Sequence, residues 1–358
     1  MKHFSHDYII VGQGLAGSCV AVQLLRKKRS FVVIDQPDDN RCTVVAAGMF
    51  NPVTGQNLIK TWMADFLFPY LHDFYPQAEG ETGQKFFYSL PLYRPFASVH
   101  EQNEWVARST DPVYQPIIED ISTRPGFPGV RDPFGGLTLK QCGYIRTTIF
   151  VHALRAKLVA QNCYKAETFD PSRLKLLEGG VSYGQIMARR VIFCEGAGVV
   201  SNPWFGKLPV RPLKGETISI KSEYDRQVIV NRGVYMVPAG ETGTWRVGST
   251  YNFKDRVPGN TAAGREELLE KLADLIDFDF EIFGEDWGFR PTVVDRKPIL
   301  GNHPQYRQLV IFNGLGTKGV SLAPYFSDVL LQWLETETPL HKDVDVSRFK
   351  SYIEFPAN

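Results

Sequence analysis

Three glycines and one acidic residue near the start of the chain have the types and the spacing that could bind a nucleotide. Gly12, Gly14 and Gly17 form a G-x-G-x-x-G pattern directly after the apolar run YIIV (8–11). In this pattern the first glycine allows a tight turn, the second lets a pyrophosphate approach the backbone, and the third lets a helix pack on the strand. Asp35 follows about twenty residues later, where a carboxylate accepts the ribose hydroxyls of an adenosine. The four residues predict dinucleotide binding, although a glycine-rich turn that serves only packing has the same appearance.

A strand, a helix and a second strand must position this turn. The helix is predicted over residues 15–28 and begins with Leu15 and Ala16, so its free N–H groups and the positive end of its dipole meet at the expected phosphate site. A later segment, RRVIFCEGAG (189–198), predicts another buried strand that lies beside the first one. That strand ends in a glycine turn containing Gly196. These elements together predict an α/β nucleotide-binding sheet.

The composition of the chain limits the class of partner. With 358 residues, of which 43% are apolar, the chain can bury a substantial core as two domains or one large one. The formal net charge of +1 gives no electrostatic reason to expect nucleic acid or an anionic membrane surface, so the expected partner is a small molecule. No stretch is apolar for the roughly 18 residues that a membrane span needs, which predicts a soluble, cytoplasmic chain. The sequence does not indicate an oligomeric state.

The spacing of the cysteines and histidines indicates neither a disulfide framework nor a metal site. The five cysteines are scattered without a C-x-x-C pair, and their odd number argues against a disulfide framework, so free thiols are expected. The histidines show no metal-ligand spacing and no evident catalytic pairing, so no metal site is predicted. Each is interpreted as structural or exposed: His3, His6, His72, His100, His152, His303 and His341.

The character of the chain changes along its length. From about Phe86 to Thr138, prolines, aromatic residues and turn signals favour an antiparallel domain with long loops. Helix and strand patterns return near Tyr144, and alternating strands reappear after residue 209. We therefore predict two discontinuous domains: a nucleotide-binding domain of residues 1–85, 141–212 and 286–358, and a second domain of residues 86–140 and 213–285.

Five stretches of the sequence, in this order, resemble one enzyme family. They are IIVGQGLAG (9–17), AAGMFNP (46–52), RRVIFCEGAG (189–198), VYMVPAG followed by WRVGST (234–250), and WGFRPTVVDRKPILGN leading to NGLGTKGVSLAP (287–324). The chain is thereby identified as a member of the D-amino acid oxidase-like FAD-dependent amine oxidoreductases, which include glycine oxidase, sarcosine oxidase and D-amino acid dehydrogenases. The resemblance implies a Rossmann-like FAD-binding domain of glutathione-reductase-like topology and a second, antiparallel-sheet α+β substrate domain, with the flavin ring between them.

The resemblance also implies which residues hold FAD. The segment 46–49 is expected to pass the pyrophosphate and the flavin, and the segment 316–320 to cover the pyrimidine end of the ring. A helix beginning near Leu322 would point its positive N-terminus at flavin N1 and O2, where negative charge collects on reduction. The expected FAD-binding residues are Gly12, Gly14, Leu15, Ala16, Gly17, Asp35, Ala46, Ala47, Gly48, Met49, Gly196, Gly316, Thr317, Lys318, Gly319 and Val320.

The position of Lys318 bears on the charge near the flavin, and the positions of the cysteines bear on how FAD is attached. Lys318 either adds a positive charge at the flavin or is a solvent-facing turn lysine. Relatives of the sarcosine oxidase type attach flavin through a cysteine near the position of Gly288, but no cysteine follows Cys194. FAD is therefore expected to bind noncovalently.

Two residues match the family positions that hold the substrate carboxylate. Arg290, in GFRP, offers a forked guanidinium that suits a planar carboxylate, and its alternative role is a surface or interdomain ion pair. Tyr235, in VYMVP, lies in an alternating strand whose neighbours Val234 and Met236 face the other way, and its alternative role is a core tyrosine. Arg290 and Tyr235 are the candidate catalytic residues.

Two functions from different classes remain open. The first is FAD-dependent oxidation of a small amino acid or an N-substituted glycine, in which Cα loses a hydride to flavin N5 and the imine hydrolyses in water. The second is flavin-dependent oxidation of an amine on a macromolecule, as in the flavin domain of a bifunctional tRNA-modifying enzyme, which the near-neutral charge disfavours. The sequence specifies neither the amino acid nor the electron acceptor, which could be oxygen, a quinone or a protein.

Overall fold

The computed structural model describes residues 4–37, 41–54 and 59–353. Its strands, numbered in chain order, are β1 His6–Val11, β2 Phe31–Asp35, β3 Met49–Phe50, β4 Val53–Thr54, β5 Ile59–Lys60, β6 Phe87–Ser89, β7 Leu92–Pro95, β8 Ile118–Ser122, β9 Gly136–Leu139, β10 Gly143–Ile145, β11 Tyr164–Ala166, β12 Leu174–Leu177, β13 Gly180–Tyr183, β14 Ile186–Phe193, β15 Val210–Lys221, β16 Ile229–Arg232, β17 Val234–Pro238, β18 Thr244–Gly248, β19 Glu281–Val293, β20 Ile299–Asn302 and β21 Leu309–Asn313.

The helices alternate with these strands. They are α1 Leu15–Arg26, α2 Cys42–Val45, α3 Ala64–Thr82, α4 Val99–Arg108, α5 Thr147–Ala160, α6 Ala262–Ala273, α7 Gly319–Thr336 and α8 Lys350–Ile353, with 3-10 turns at Pro171–Arg173, Gly196–Ser201 and Val346–Phe349. Within the described part of the chain, none of the helices has the length and apolarity that crossing a bilayer requires.

The first sheet is built around β1, which pairs in parallel with β2 on one side and with β14 on the other. β11 extends the sheet beyond β2, β21 lies parallel to β14, and β13, β12 and β20 complete it in antiparallel pairings. The predicted position of β14 beside β1 is therefore confirmed. Because the carboxyl ends of parallel strands meet at one edge of a sheet, the ends of β1, β2 and β14 lie together.

Both faces of this sheet are covered, as parallel strands require. Along β1, Tyr8 and Ile10 point into a core formed with α1, α3, α5 and α7. Ile9 and Val11 point into a second core on the opposite face. Alternate residues of one strand thus anchor two layers, and the glycine turn that follows Val11 is held on a rigid base.

The second sheet has eight strands in the order β19-β15-β18-β17-β16-β7-β9-β8. Its pairings are antiparallel except that between β16 and β7, which is parallel. Leu268 and Leu272 of α6 pack on one face together with Trp245 and Val247 of β18. The mixed α/β fold with a Rossmann-like sheet and a second, largely antiparallel sheet confirms the predicted fold class.

The structure differs from the sequence expectations in several local features. α1 ends at Arg26 rather than residue 28. The proline-rich segment 86–138 contains the unpredicted helix α4, whose first turn is capped because the Ser98 hydroxyl accepts from the Glu101 N–H at 3.2 Å. We propose that the chain forms the two discontinuous domains that the sequence predicts. Two strands cross the boundaries between them: β15 at residues 212 and 213, and β19 at residues 285 and 286.

Candidate active site

The glycine turn of residues 12–17 joins the end of β1 to the first turn of α1. Gly12 has a φ of +94°, and a Cβ added there would lie 2.6 Å from the Cys194 carbonyl oxygen. A Cβ added to Gly17 would lie 1.9 Å from the Gly12 carbonyl oxygen. The turn therefore needs glycine at the first position for its left-handed backbone, and at the last for close packing of helix on strand.

The N-terminus of α1 is open to an anion. Its first turn contains no acidic residue, and Gly14 before it offers no side chain as a cap. The first N–H groups of a helix have no acceptor inside the helix. The Leu15 N–H donates to Thr43 Oγ1 at 3.0 Å, while Ala16 is buried. Thr43, which the sequence did not single out, therefore brings α2 against the turn.

Asp35 lies at the end of β2 beside the glycine turn and is only 5% exposed. Its carboxylate accepts from the Gln13 N–H at 2.9 Å, from Arg41 Nη1 at 2.7 and 2.9 Å, and from the Tyr164 hydroxyl at 3.2 Å. The carboxylate thus fixes the backbone of the turn directly. A ribose hydroxyl bound here would share the carboxylate with Arg41, whose contribution the sequence did not reveal.

Replacing Asp35 by alanine is expected to weaken FAD binding by one to two decades, because a charge-assisted hydrogen bond of roughly 1.5 to 3 kcal/mol is lost. The loss of the Gln13 contact should add to this effect. The measurement is a fluorescence titration of the apoprotein with FAD. Tyr164→Phe serves as the milder comparison, because it removes one neutral donor, the hydroxyl that lies 3.2 Å from both the carboxylate and the carbonyl oxygen of Asp35. An unchanged FAD affinity in Asp35→Ala would show that the carboxylate only holds the protein's own groups.

Segment 46–49 connects α2 to the small sheet β3-β10-β6. Gly48 has a φ of +71°, and a Cβ added there would lie 1.9 Å from the Ile145 carbonyl oxygen. Gly48 is buried, whereas the two alanines before it are exposed or half-buried. The Met49 sulfur lies 3.8 Å from Asn231 Nδ2 of β16. The segment therefore extends from the nucleotide sheet to the second sheet.

The glycine turn after β14 lies beside the end of β1. Gly196 has a φ of +56°, and a Cβ added there would meet nothing within 4 Å, so the residue faces open space. Asn313 Nδ2 donates to the Gly196 carbonyl oxygen at 3.0 Å, which ties the turn to β21. The preceding residue, Glu195, accepts from Asn202 Nδ2 at 2.8 Å. Burial raises the pKa of Glu195 to about 7, and only the Asn202 bond opposes this shift.

The raised pKa of Glu195 predicts a stability that depends on pH. Because the folded pKa lies above the ordinary value, this carboxyl contributes stability below about pH 4.5 and loses it as the pH rises through 7. Glu195→Gln should therefore be more stable than the parent at pH 8.5, by roughly 2 to 3 kcal/mol, and should lose this advantage near pH 4.5. Urea unfolding of the FAD-bound proteins at the two pH values measures the difference. The exposed Glu223→Gln is the control, and equal gains at both pH values would contradict the assignment.

α7 begins at Gly319 rather than near Leu322, where the sequence suggested its start. A Cβ added to Gly319 would lie 3.0 Å from Leu15 Cδ2, so the first turns of α7 and α1 lie side by side. The Tyr75 hydroxyl donates to the Val320 carbonyl oxygen at 2.8 Å and fixes the start of α7 to α3. Two helix N-termini, each with a partial positive charge, therefore lie next to each other.

The turn before α7 carries the other predicted residues of this segment. The Gly316 N–H donates to the Pro291 carbonyl oxygen at 3.0 Å, which joins the turn to β19. Thr317 is exposed and Lys318 is half-buried. Burial, and then the charge of Arg296, lower the pKa of Lys318. A lysine in this environment is stabilised in its charged form by a nearby negative charge.

Thr292 provides a test of whether FAD fits this region. Among the described residues, its buried hydroxyl has no hydrogen-bond partner, and it lies 3.9 Å from the Cβ position of Gly316. A buried hydroxyl without a partner costs free energy, so such a group commonly pairs with a ligand or a water. The adjacent N-termini of α1 and α7 suit the negative charge of a pyrophosphate, and the open space at Gly196 leaves room for the cofactor. The residues present fit FAD.

Arg290 extends from β19 and is surrounded by polar groups of the segment after β18. Its Nη2 donates to Ser249 Oγ at 2.6 Å and its Nη1 to the Thr250 carbonyl oxygen at 3.4 Å, while Cζ lies 4.9 Å from the centre of the Tyr251 ring. A Cβ added to Gly215 would lie 2.1 Å from Nη2, so glycine there makes room for the guanidinium. Within the described residues, no carboxylate oxygen lies within 4.0 Å of Arg290.

Tyr235 lies on β17, where it pairs with Asn231 of β16 and with Gly248 of β18. Its hydroxyl lies 2.7 Å from the Cβ position of Gly248. Burial raises the pKa of Tyr235, whereas the charge of Arg290 and a hydrogen bond with Ser249 oppose that rise. The two candidate catalytic residues are therefore brought together around the Ser249 hydroxyl.

The candidate substrate residues lie close to the candidate nucleotide residues. α2 packs against β19, the strand that carries Arg290. Burial raises the pKa of the Cys42 thiol, and the positive charge of Arg290 opposes this shift. Cys42 is the first residue of α2, and the next residue, Thr43, contacts the glycine turn. α2 therefore lies between the two sets of residues.

Several residues around Arg290 were missed from the sequence, namely Ser249, Thr250 and Tyr251. The sequence signal for them was present, because they directly follow the predicted strand WRVG, which pairs with the strand of Tyr235.

No described His, Cys, Asp and Glu side chains are grouped closely enough to hold a metal ion, and His3 lies outside the described residues. A separate cavity of about 670 Å³ contains none of the candidate residues and is lined by Ala97, Arg131, Asp132, Pro133, Phe134, Arg232, Ala273 and Asp274.

Comparisons with known proteins find distant sequence relatives and solved structures of similar fold. The bifunctional protein ThiO/ThiG of Synechocystis sp. is 26% identical over 91% of this chain and 51% of its own length, so the chain spans about half of that relative. The glycine oxidase of Pseudomonas putida is 25% identical over 91% of this chain and 94% of its own. The crystal structure of iminodiacetate oxidase from Chelativorans sp. BNC1 superposes with a TM-score of 0.77 at 21% identity, covering 94% of this chain and 98% of that one.

The family itself is established by a match over most of the sequence. The profile of the FAD dependent oxidoreductases, DAO, matches residues 7–333. This range includes the glycine turn, the segment 46–49, the turn before α7 and both residues near Ser249. The chain therefore belongs to the DAO family of FAD-dependent oxidoreductases.

Proposed function

We propose that this enzyme oxidises the C–N bond of a small amino acid or an N-substituted glycine. The observation that carries the proposal is Arg290, a half-buried guanidinium that has no carboxylate partner among the described residues and is held in place by Ser249 and Thr250. A guanidinium in this state favours a planar anion, which it binds through two parallel hydrogen bonds. A substrate carboxylate supplies that anion.

The chain's own groups would orient the substrate rather than move protons. Arg290 would hold the carboxylate, and the Tyr235 hydroxyl beside Ser249 would offer a further hydrogen bond. When bound, FAD would supply the acceptor for the hydride that leaves the substrate Cα, and the imine product would hydrolyse in water. Holding Cα at a fixed position lowers the barrier without a strong base. The contacts of Arg290 within the described residues are with Ser249, Thr250 and Tyr251, and none of these is a strong base.

The relatives support the same reaction class. One is named glycine oxidase, and one structural neighbour is named iminodiacetate oxidase, whose name denotes an N-substituted glycine. We also propose that FAD is bound noncovalently, since all five cysteines precede residue 195 and none lies near Gly288 in the sequence, where relatives of the sarcosine oxidase type carry the attachment cysteine. The proposed contacts to FAD are those of the glycine turn, Asp35, segment 46–49, Gly196 and segment 316–320.

Anaerobic reduction of the purified, FAD-loaded protein tests this function. We expect glycine, N-methylglycine, iminodiacetate or an alanine enantiomer to bleach the oxidised flavin band, and methylamine, which lacks a carboxylate, to bleach it far more slowly. Acid precipitation should leave the yellow colour in the supernatant, because noncovalent FAD is released. Admission of oxygen afterwards shows whether oxygen reoxidises the flavin. A protein whose flavin stays oxidised with every amino acid in the panel would exclude the proposed reaction.

A further inference from the structure

A second arginine lies on the same face of the second sheet as Tyr235. On β18, Trp245 and Val247 point into the core against α6, so Arg246 between them points to the opposite face. Val234 and Met236 of β17 belong to the same core, so Tyr235 also points away from it. The two side chains therefore extend from neighbouring strands to one surface.

Within the described part of the chain, Arg246 is held in place through one of its nitrogen atoms, Nη1. Its Nη1 donates to the Asp286 carboxylate and, at 3.2 Å, to Thr217 Oγ1. Among the described residues, Nε and Nη2 have no hydrogen-bond acceptor, although only 22% of the side chain is exposed. The Nε and Nη2 edge of a guanidinium fits a carboxylate through two parallel bonds. Asp286 therefore orients Arg246 and leaves this edge free for a ligand.

Arg246 and Arg290 both lie near Tyr235. The charges of both arginines act on the Tyr235 hydroxyl and oppose the rise in its pKa. The Thr217 methyl group, next to the hydroxyl that binds Arg246, lies 2.8 Å from the Cβ position of Gly248, and the Tyr235 hydroxyl lies 2.7 Å from the same position. Thr217, which binds Arg246, and Tyr235, which lies beside Arg290, therefore flank the same glycine.

The charges on this surface suit a particular class of substrate. Two guanidiniums and the Asp286 carboxylate leave a net charge of +1. A monocarboxylic amino acid is neutral at pH 7, whereas an amino compound with two carboxylates carries a net charge of −1, because both acids are ionised and the amine is protonated. The net charge of −1 on the dicarboxylic compound complements the +1 of the surface. Its two planar carboxylates equal the number of guanidiniums.

We propose that the substrate carries two carboxylates, one bound by Arg290 and the second by the free edge of Arg246. The inference rests on the proposed oxidation of an amino acid and names its substrate class. Aminodicarboxylic acids and N-carboxyalkyl glycines fall in this class. Asp286 acts as a positioning residue, since it contacts Arg246 and not the ligand.

Equilibrium binding of unreactive analogues tests the second site separately from turnover. Diglycolate has two carboxylates and an ether oxygen in place of the amine, and methoxyacetate is its counterpart with one carboxylate. Neither has an amine to be oxidised, so each is titrated against the FAD-bound protein and its dissociation constant is read from the perturbed flavin spectrum. We expect diglycolate to bind roughly tenfold to hundredfold more tightly than methoxyacetate, as a second bidentate contact would give.

Variants then assign the preference to one residue. Arg246→Gln should lower the ratio of the two affinities roughly tenfold to hundredfold, and Asp286→Asn should lower it less, because Arg246 keeps its charge but loses its orientation. The matched control is Arg94→Gln, a half-buried arginine of β7 that pairs with Glu101 at 3.0 Å, and it should leave the ratio unchanged. FAD content and circular dichroism confirm that each variant is folded.

The outcomes separate this inference from the proposed function. Equal affinity of the parent protein for the two analogues, or an equal loss for both in Arg246→Gln, would overturn the second carboxylate site. In flavin reduction, iminodiacetate should be preferred over N-methylglycine by the parent and not by Arg246→Gln. If no amine reduces the flavin while diglycolate is still preferred through Arg246, the dicarboxylate site stands and the oxidation fails.

Discussion

Replacing Arg290 by lysine is expected to lower kcat/KM for the best amino acid substrate about a hundredfold while leaving the spectrum of the bound flavin almost unchanged. Lysine keeps the positive charge, but it cannot make two parallel hydrogen bonds to a carboxylate, and its ammonium cannot maintain the contacts to Ser249 and Thr250. Losing a charge-assisted hydrogen bond costs roughly 1.5 to 3 kcal/mol, which corresponds to a decrease in kcat/KM of roughly tenfold to hundredfold. Steady-state kinetics, with flavin reduction followed anaerobically, provides the measurement.

Two comparisons show whether the effect arises at the carboxylate. Methoxyacetate binding should weaken in parallel with kcat/KM, whereas the slow oxidation of a simple amine should change little. Arg94→Lys, on the same sheet but paired with Glu101, should behave as the parent protein. If Arg290→Lys oxidises the best substrate with the parent rate and affinity, the carboxylate is held elsewhere, and the substrate need not be an amino acid.

Replacing Gly48 by alanine is expected to cause the largest loss of stability and of bound FAD. A Cβ at this position would lie 1.9 Å from the Ile145 carbonyl oxygen, and the residue has a φ of +71°, which disfavours any side chain. The Gly48 carbonyl oxygen also accepts from the Ile145 N–H at 3.0 Å, so relief of the overlap breaks the junction between segment 46–49 and β10. We expect a loss of roughly 3 to 5 kcal/mol in the free energy of unfolding. Urea unfolding and the ratio of FAD to protein measure the two effects.

Gly83 offers a matched control for the conformational part of this effect. Its φ is +69°, but a Cβ added there meets nothing within 4 Å. Gly83→Ala should therefore cost only the strain of the left-handed backbone, roughly 1 to 2 kcal/mol, and should retain FAD. If the two substitutions destabilise the protein equally, the close contact between residues 48 and 145 is not what constrains the segment.

The resemblance between this sequence and the DAO family determined the fold class and the cofactor. The strand, glycine turn, helix, strand and acid of residues 8–35 form a local unit, since the pattern of apolar residues and the special backbone of glycine act over a few neighbouring positions. The strand predicted within segment 189–198 was also found, as β14 at residues 186–193, because a run of buried apolar residues ending in a glycine turn has few alternatives in an α/β sheet. Helix ends were less exact, as at α1 and α7.

Only the tertiary structure decided which side chains surround Arg290. Ser249, Thr250 and Tyr251 lie about forty residues away in the chain, and antiparallel pairing of β18 and β19 with β15 brings them to the guanidinium. Such contacts depend on strand order, which alternation along one strand does not encode.

The environment of individual charges was likewise decided by the fold. From the sequence we predicted that Asp35 binds a ribose, but not that it bonds to Arg41 and Tyr164. The partner of Arg290 stayed open between a substrate and an ion pair. A residue type determines what a side chain is able to bind, because that is a property of its own atoms. Burial and the neighbouring strands determine which of those partners is present, and these are fixed only when distant segments pack together.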